Sequence, residues 1–330
     1  MPEWLHEAGI GEERAILVEG GTILAARIDW GEPLRPGLVA RARIVRRLAG
    51  TRRGMARFAD GTTAQVDSLP PEATEGRDLL LRVTRASIAE RGRTKLAQAR
   101  PAGADEAPRP APTLLHTLAD EDHPVRAMPA TDRRFDEAGW HELVEEAMSG
   151  EIAFPGGSLT ISPTPAMTLI DIDGSPPLPG LALAAVPAIA AALPRLDIGG
   201  SIGIDFPTLS ERKDRQAVDA ALTSALAGWR GERTAMNGYG FVQLVARLER
   251  PSLVARFARD PVGAAARILL RQAERVSEPG VLLLTAHPAV LRAVSPAWET
   301  ELARRTGRAI RRHEQPGLAL AAGFAQAVPA

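Results

Sequence analysis

Along residues 14–29, "RAILVEGGTILAARID", apolar and polar positions run in short extended blocks on either side of Gly20 and Gly21. Such blocks, broken by a Gly-Gly pair, predict two strands joined as a hairpin. In "VARARIV", residues 39–45, alternation sets Arg41 and Arg43 on one strand face and Ala40, Ala42 and Ile44 on the other. The stretches "TTAQVDSL" and "RDLLLRVTRASI" predict further short strands, giving a compact β module that ends near Arg100. Residues 101–113, "PAGADEAPRPAPT", read as a linker or a loop between domains. Beyond them the period changes. Phe135, Trp140, Leu143, Val144 and Met148 fall at helical spacing and predict one amphipathic helix stopped by Gly150, with Glu142, Glu145 and Glu146 on its solvated side.

The next apolar run, "AMTLIDIDGS" (166–175), carries acids near its end. On a strand, Ile170 and Ile172 share one face while Leu169, Asp171 and Asp173 share the other. An apolar helical segment, "LPGLALAAVPAIAAALPRLDIGG", follows, interrupted by Pro187, and then a second strand, "SIGIDFPTL", ends its polar face on Asp205. This order predicts a βαβ unit, which brings Asp171 and Asp205 to the same end of neighbouring parallel strands. Two carboxylates there suit a hard cation, because Mg²⁺ is held by one or two carboxylates together with waters and substrate phosphate oxygens. Strand-end polarity is the alternative reading.

Composition narrows the field. A chain of 330 residues with 45% hydrophobic content is long enough for roughly two domains with ordinary cores. No apolar run approaches a membrane span, and "MPEWLHEAGIGEER" has neither the basic start nor the hydrophobic stretch of a signal peptide, so a cytoplasmic protein is expected. The absence of cysteine removes disulfides, zinc–thiolate sites and cysteine nucleophiles. The six histidines lack zinc-helix spacing. Net charge is zero, which argues against a strongly basic nucleic-acid binder, yet the charges are segregated: the stretch from Arg35 to Arg57, both included, has eight arginines and no acid. Displayed beside a small barrel, such a row suits a phosphate backbone; a merely solvated strand face is the other reading.

Three strings occur in order: "GEIAFPGGSLTISPTPAMTLIDIDGS", "RLDIGGSIGIDFPTLSERKDRQAV" and "MNGYGFVQLVARLERPSL". Together, from about Gly150 to Leu253, they resemble the catalytic region of the RNase E/G endoribonuclease family. The resemblance implies an α+β multidomain chain: an RNase H-like hairpin (1–35), an S1-type OB-fold β-barrel that binds RNA (36–100), a linker with an RNase H-like remnant (101–134), a DNase I-like α/β catalytic domain (135–258) and a small C-terminal α/β domain (259–330) used in subunit contacts. It implies a Mg²⁺-dependent endoribonuclease, with Mn²⁺ an alternative, that cuts single-stranded RNA by metal-activated water and leaves a 5′-phosphate and a 3′-hydroxyl. Asp171 and Asp205 fall on the family's metal-binding aspartates, and Asp173 on the Asn that supports them. RNA contact is expected at Arg41, Arg43, Arg46, Arg47, Arg52 and Arg53, at Phe58 and Lys95 of the barrel, and at Lys213, which opens a helix expected to be capped by Ser210. The family's zinc-link cysteines and its 5′-sensor string have no counterpart. A structural zinc, a zinc-linked dimer and 5′-end sensing are therefore not expected. The oligomeric state stays open and no membrane partner is implied. The rival readings are a non-catalytic RNA-binding or ribosome-associated protein that kept the fold, and a regulatory subunit whose acid pair is structural.

Overall fold

The computed structural model describes residues 1–90 and 93–329. It divides the chain into two compact units, one made of Met1–Gly31, Leu118–Glu142 and Arg256–Ala330, the other of Glu32–Thr117 and Leu143–Ala255.

In the first unit, the strands Glu12–Glu19 and Thr22–Asp29 form the expected hairpin. Gly20 and Gly21 turn it at φ +59° and +79°, a left-handed pair that side-chain-bearing residues rarely adopt. The strand Glu3–Gly9 pairs antiparallel with the hairpin and parallel with Val125–Met128, completing a four-stranded sheet. A second, three-stranded sheet is centred on Val281–Ala286, parallel to Ile310–Glu314 and antiparallel to Phe324–Val328. Helix Pro261–Glu274 buries Ala266, Leu269 and Leu270 in a core with Leu282, Leu284 and Val290.

This unit also buries charge. Glu7 and Arg14 are fully buried and hydrogen-bonded at 2.8 Å. Arg271 donates to both Glu7 and Glu12, and the Arg14 guanidinium lies 4.1 Å from the Phe135 ring centroid and 4.6 Å from that of Trp140. Buried carboxylates persist only when cations and donors replace their lost water, and here each has both.

The second unit contains a closed five-stranded barrel in the order Ala97–Pro101, Thr63–Val66, Gly54–Phe58, Val39–Arg47, Asp78–Arg85. Ala42, Ile44, Ala56, Val66 and Leu81 fill its interior. The whole is mixed α+β, and the barrel is consistent with an OB-like fold. The Pro-rich segment does not hang free: Arg109 exchanges both backbone hydrogen bonds with Val39, at 3.0 and 2.9 Å, and so extends the barrel's pairing.

The same unit holds a six-stranded mixed sheet, in the order Glu151–Phe154, Gly157–Pro163, Thr168–Gly174, Ser201–Asp205, Phe241–Ala246, Gly231–Arg233. Helix Leu178–Arg195 packs on it and on helix Arg212–Ala225. Two expectations need correction here. The 135–150 segment is two helices, Arg134–Glu137 and Trp140–Ser149, because Gly139 adopts φ +94° and breaks the first turn away from the rest. Conversely, Pro187 does not interrupt helix Leu178–Arg195. The carbonyl its missing N–H leaves without a partner belongs to Leu183, on the exposed side, where water can serve it. Contrary to the reading of the apolar runs, this helix is long and apolar enough to cross a membrane by length and composition. Its buried side, including Leu181, Ala185, Val186 and Ile189, is spent on the unit's own core.

Candidate active site

The acids of interest stand on two neighbouring strands. Thr168–Gly174 and Ser201–Asp205 pair in parallel, and the register sets Ile170 opposite Ile204 and Asp171 directly opposite Asp205. Ile170, Ile172, Ile202 and Ile204 turn inward and are buried, so period two forces Asp171, Asp173 and Asp205 onto the open face, where all three are exposed. The isoleucines that build the core thereby fix where the carboxylates point.

Across the sheet, the row through the pair runs Glu151, Thr160, Asp171, Asp205, Phe241. Asp173 lies on the same face, opposite Ser158. Asp171 Oδ1 accepts from the backbone N–H of Ile172 at 3.0 Å. Partial burial raises the Asp205 carboxyl above its ordinary range, and the like charge of Asp171 raises it further. Among the described residues neither carboxylate takes part in an ion pair, and no group of three or more His, Asp or Glu side chains is placed to hold a metal. The arrangement is thus a two-carboxylate edge. That donor set fits a hard divalent cation whose remaining ligands are water and phosphate oxygens, and it fits poorly a metal that needs an all-protein cage.

Beside the pair the open face turns apolar. A Cβ added to Gly203 would meet the Phe241 ring at 2.5 Å and Met167 Sδ at 2.8 Å. The missing side chain therefore lets a ring and a thioether lie on the strand next to Asp205. Sequence reasoning passed over Phe241 and Met167; the available signal was a glycine inside a strand, which marks a close approach.

The arginine row divides into different environments. Arg41, Arg43 and Arg46 are exposed on Val39–Arg47, and Arg43 pairs with Asp78 at 3.0 Å. Arg47 instead points one guanidinium nitrogen at the carbonyls of Pro70, Pro71 and Ala73, holding a loop. Arg52 donates to the Leu69 carbonyl at 3.3 Å and Arg53 pairs with Asp67 at 3.0 Å; both line an open recess of about 510 Å³ with Thr51 and Ser68. Phe58 is not displayed: it is 6% exposed inside the barrel, because its strand position alternates with Arg57. Lys95 is half-buried at the end of the short strand Arg93–Lys95. Lys213 is exposed in the first turn of Arg212–Ala225, whose N-cap is Glu211 rather than Ser210. Of the third string's basic residues, Arg250 is bound to Asp197, and Arg247 pairs with Glu249 at 3.0 Å.

No curated protein matches the chain. The model of the Ribonuclease E/G family matches residues 105–245, which include both strands of the acid pair and the turn that leads into Phe241. Over residues 105–245, then, the chain is similar to the Ribonuclease E/G family.

Proposed function

We propose that the protein is an endoribonuclease that cleaves single-stranded RNA at the Asp171–Asp205 edge with the help of Mg²⁺. The observation that carries this reading is the register of two exposed carboxylates, opposite each other on parallel strands and without a cation, inside the region matched by a ribonuclease family. The family match over residues 105–245 suggests the ribonuclease; the metal dependence is our inference from the donor set.

Asp171 and Asp205 would hold the ion. Mn²⁺ would serve in its place. When bound, Mg²⁺ supplies activation of water and neutralisation of charge on the phosphate in flight. The chain's own residues bind and orient. The acid pair fixes where a phosphate can be approached, Asp173 adds negative charge on the same face, and the half-buried Phe241 and Met167 exclude water on one flank. Arg41, Arg43 and Arg46, exposed on the barrel, would attract the RNA backbone. In the finer architecture that goes with this reading, the barrel is an S1-type domain, the six-stranded sheet is DNase I-like and the hairpin sheet RNase H-like. A cytoplasmic setting belongs to the same reading. Without a sensor string or any cysteine, cleavage should ignore the state of the RNA 5′ end.

The test is cleavage of a labelled single-stranded RNA carrying either a 5′-monophosphate or a 5′-hydroxyl, with Mg²⁺ or with EDTA. Cleavage that requires Mg²⁺ and runs at near-equal rates on the two RNAs is expected. Binding without cleavage in every condition would favour a non-catalytic RNA-binding protein, and a tenfold preference for one 5′ end would remove the claim that sensing is lost.

A further inference from the structure

Tyr239 is the chain's single tyrosine and is 83% exposed. A ring so open to water contributes little to folding, yet the backbone that carries it is held on every side. Asn237 N–H donates to the Phe241 carbonyl at 3.0 Å, Gly240 N–H donates to the Asn237 carbonyl at 3.2 Å, and Asn237 Oδ1 accepts from the N–H groups of Tyr239 and Phe241 at 2.9 and 3.0 Å. Met236 N–H, just before the turn, donates to Asp219 Oδ1 at 2.9 Å.

The turn is also tied to the acid edge. Phe206, the residue after Asp205, donates its N–H to the Gly240 carbonyl at 3.2 Å, and Phe241 stands opposite Asp205 in the ladder. Gly240 makes this approach possible: it adopts φ +90°, and a Cβ there would meet the Phe206 carbonyl oxygen at 2.7 Å. A braced turn thus carries a large exposed ring two residues before Phe241, which stands opposite Asp205.

We infer that Tyr239 is a stacking platform for one base of a single-stranded RNA, the base next to the phosphate at the Asp171–Asp205 edge. The place of that phosphate rests on the ribonuclease reading above. Any base has a π face to offer, so the platform takes single-stranded nucleic acid with little regard to sequence. A double helix keeps its bases stacked on one another and would not use it. The barrel strengthens the assignment, since its Phe58 faces the core and leaves the stacking role open.

Binding in EDTA separates the platform from catalysis. Affinity is measured by fluorescence anisotropy for a labelled single-stranded RNA and for a series in which one abasic nucleotide is moved along the strand, with the wild type, Tyr239→Ala and Tyr239→Phe. Tyr239→Ala is expected to bind about tenfold more weakly and Tyr239→Phe to restore affinity, as stacking needs the ring and not the hydroxyl. One abasic position should weaken the wild type and have no further effect on Tyr239→Ala. Equal affinity of wild type and Tyr239→Ala, or abasic effects identical in both proteins, would overturn the platform. Wild-type cleavage in Mg²⁺ is followed in parallel: stacking without cleavage would sink the ribonuclease reading alone, and cleavage without a Tyr239 effect would sink the platform alone.

Discussion

Two groups of acids in this protein are treated in opposite ways. Glu7 and Glu12 are buried and receive Arg14 and Arg271, while Asp171 and Asp205 face each other in the open with no cation in contact among the described residues. The Glu12 carboxyl is pushed up by desolvation, but Arg271, Arg14 and a hydrogen bond from Trp30 outweigh this and hold it below its ordinary range; Asp205 is raised by desolvation and by Asp171, with nothing opposing. A chain that pairs Glu7 and Glu12 with arginines could have placed another of its many arginines beside Asp205. Leaving the pair bare keeps it available to a cation from solution.

The comparison breaks most visibly if the bare pair is dispensable. Asp171→Asn and Asp205→Asn are expected to lower RNA cleavage at least about 100-fold, the upper range for disturbing a metal site's surroundings, while folding and RNA binding survive. Cleavage rates of the purified variants at saturating RNA check this, and near-wild-type rates would return the pair to ordinary strand-end polarity.

The paired acids should behave in the reverse manner, as stability without chemistry. Glu7→Ala leaves Arg14 in the core without its hydrogen-bonded carboxylate, and is expected to cost about 3–5 kcal/mol in urea unfolding, because removing one partner of a buried pair leaves a poorly compensated charge. A loss below about 1 kcal/mol would mean that the cluster is hydrated rather than buried.

A smaller effect separates the exposed arginines from the structural one. Replacing Arg41, Arg43 and Arg46 by Gln should flatten the salt dependence of RNA binding, each lost phosphate contact lowering the slope by about 0.7. Arg47 is left in place because it holds the Pro70–Ala73 carbonyls. An unchanged slope would make the row mere solvated surface.

The smallest effect concerns pH. The folded state raises the Asp205 pKa, so it binds this proton more tightly than the unfolded chain, and metal-free stability falls as pH rises from the ordinary Asp range through the raised value. Asp205→Asn should therefore melt slightly higher than the wild type above that window, with the difference vanishing below it. A lower melting temperature in the variant would contradict unrelieved repulsion at the edge.

Local pattern made part of this legible. The hairpin around Gly20 and Gly21 and the Asp171–Asp205 register follow from alternation and from the order strand, helix, strand, because burying the isoleucines leaves the acids no other face. The break at Gly139 and the unbroken passage through Pro187 were less accessible. A glycine at the edge of a helical pattern is compatible with both outcomes, and a proline's cost depends on which side of the helix faces water. Phe58 shows the same limit at the site: its alternation with Arg57 puts the two on opposite faces, but which face of a barrel strand turns to the core is set by the pairing around the barrel and not by the strand's own pattern. Tyr239 stood in a quoted string, but only its exposure and the bracing of its turn single it out.

The central claim is that the bare carboxylates are a cation site, and calorimetric titration of the RNA-free protein with Mn²⁺ tests it most directly. One ion bound by the wild type and lost in both Asp171→Asn and Asp205→Asn is the predicted result; no binding by the wild type, or equal binding by all three proteins, would contradict it.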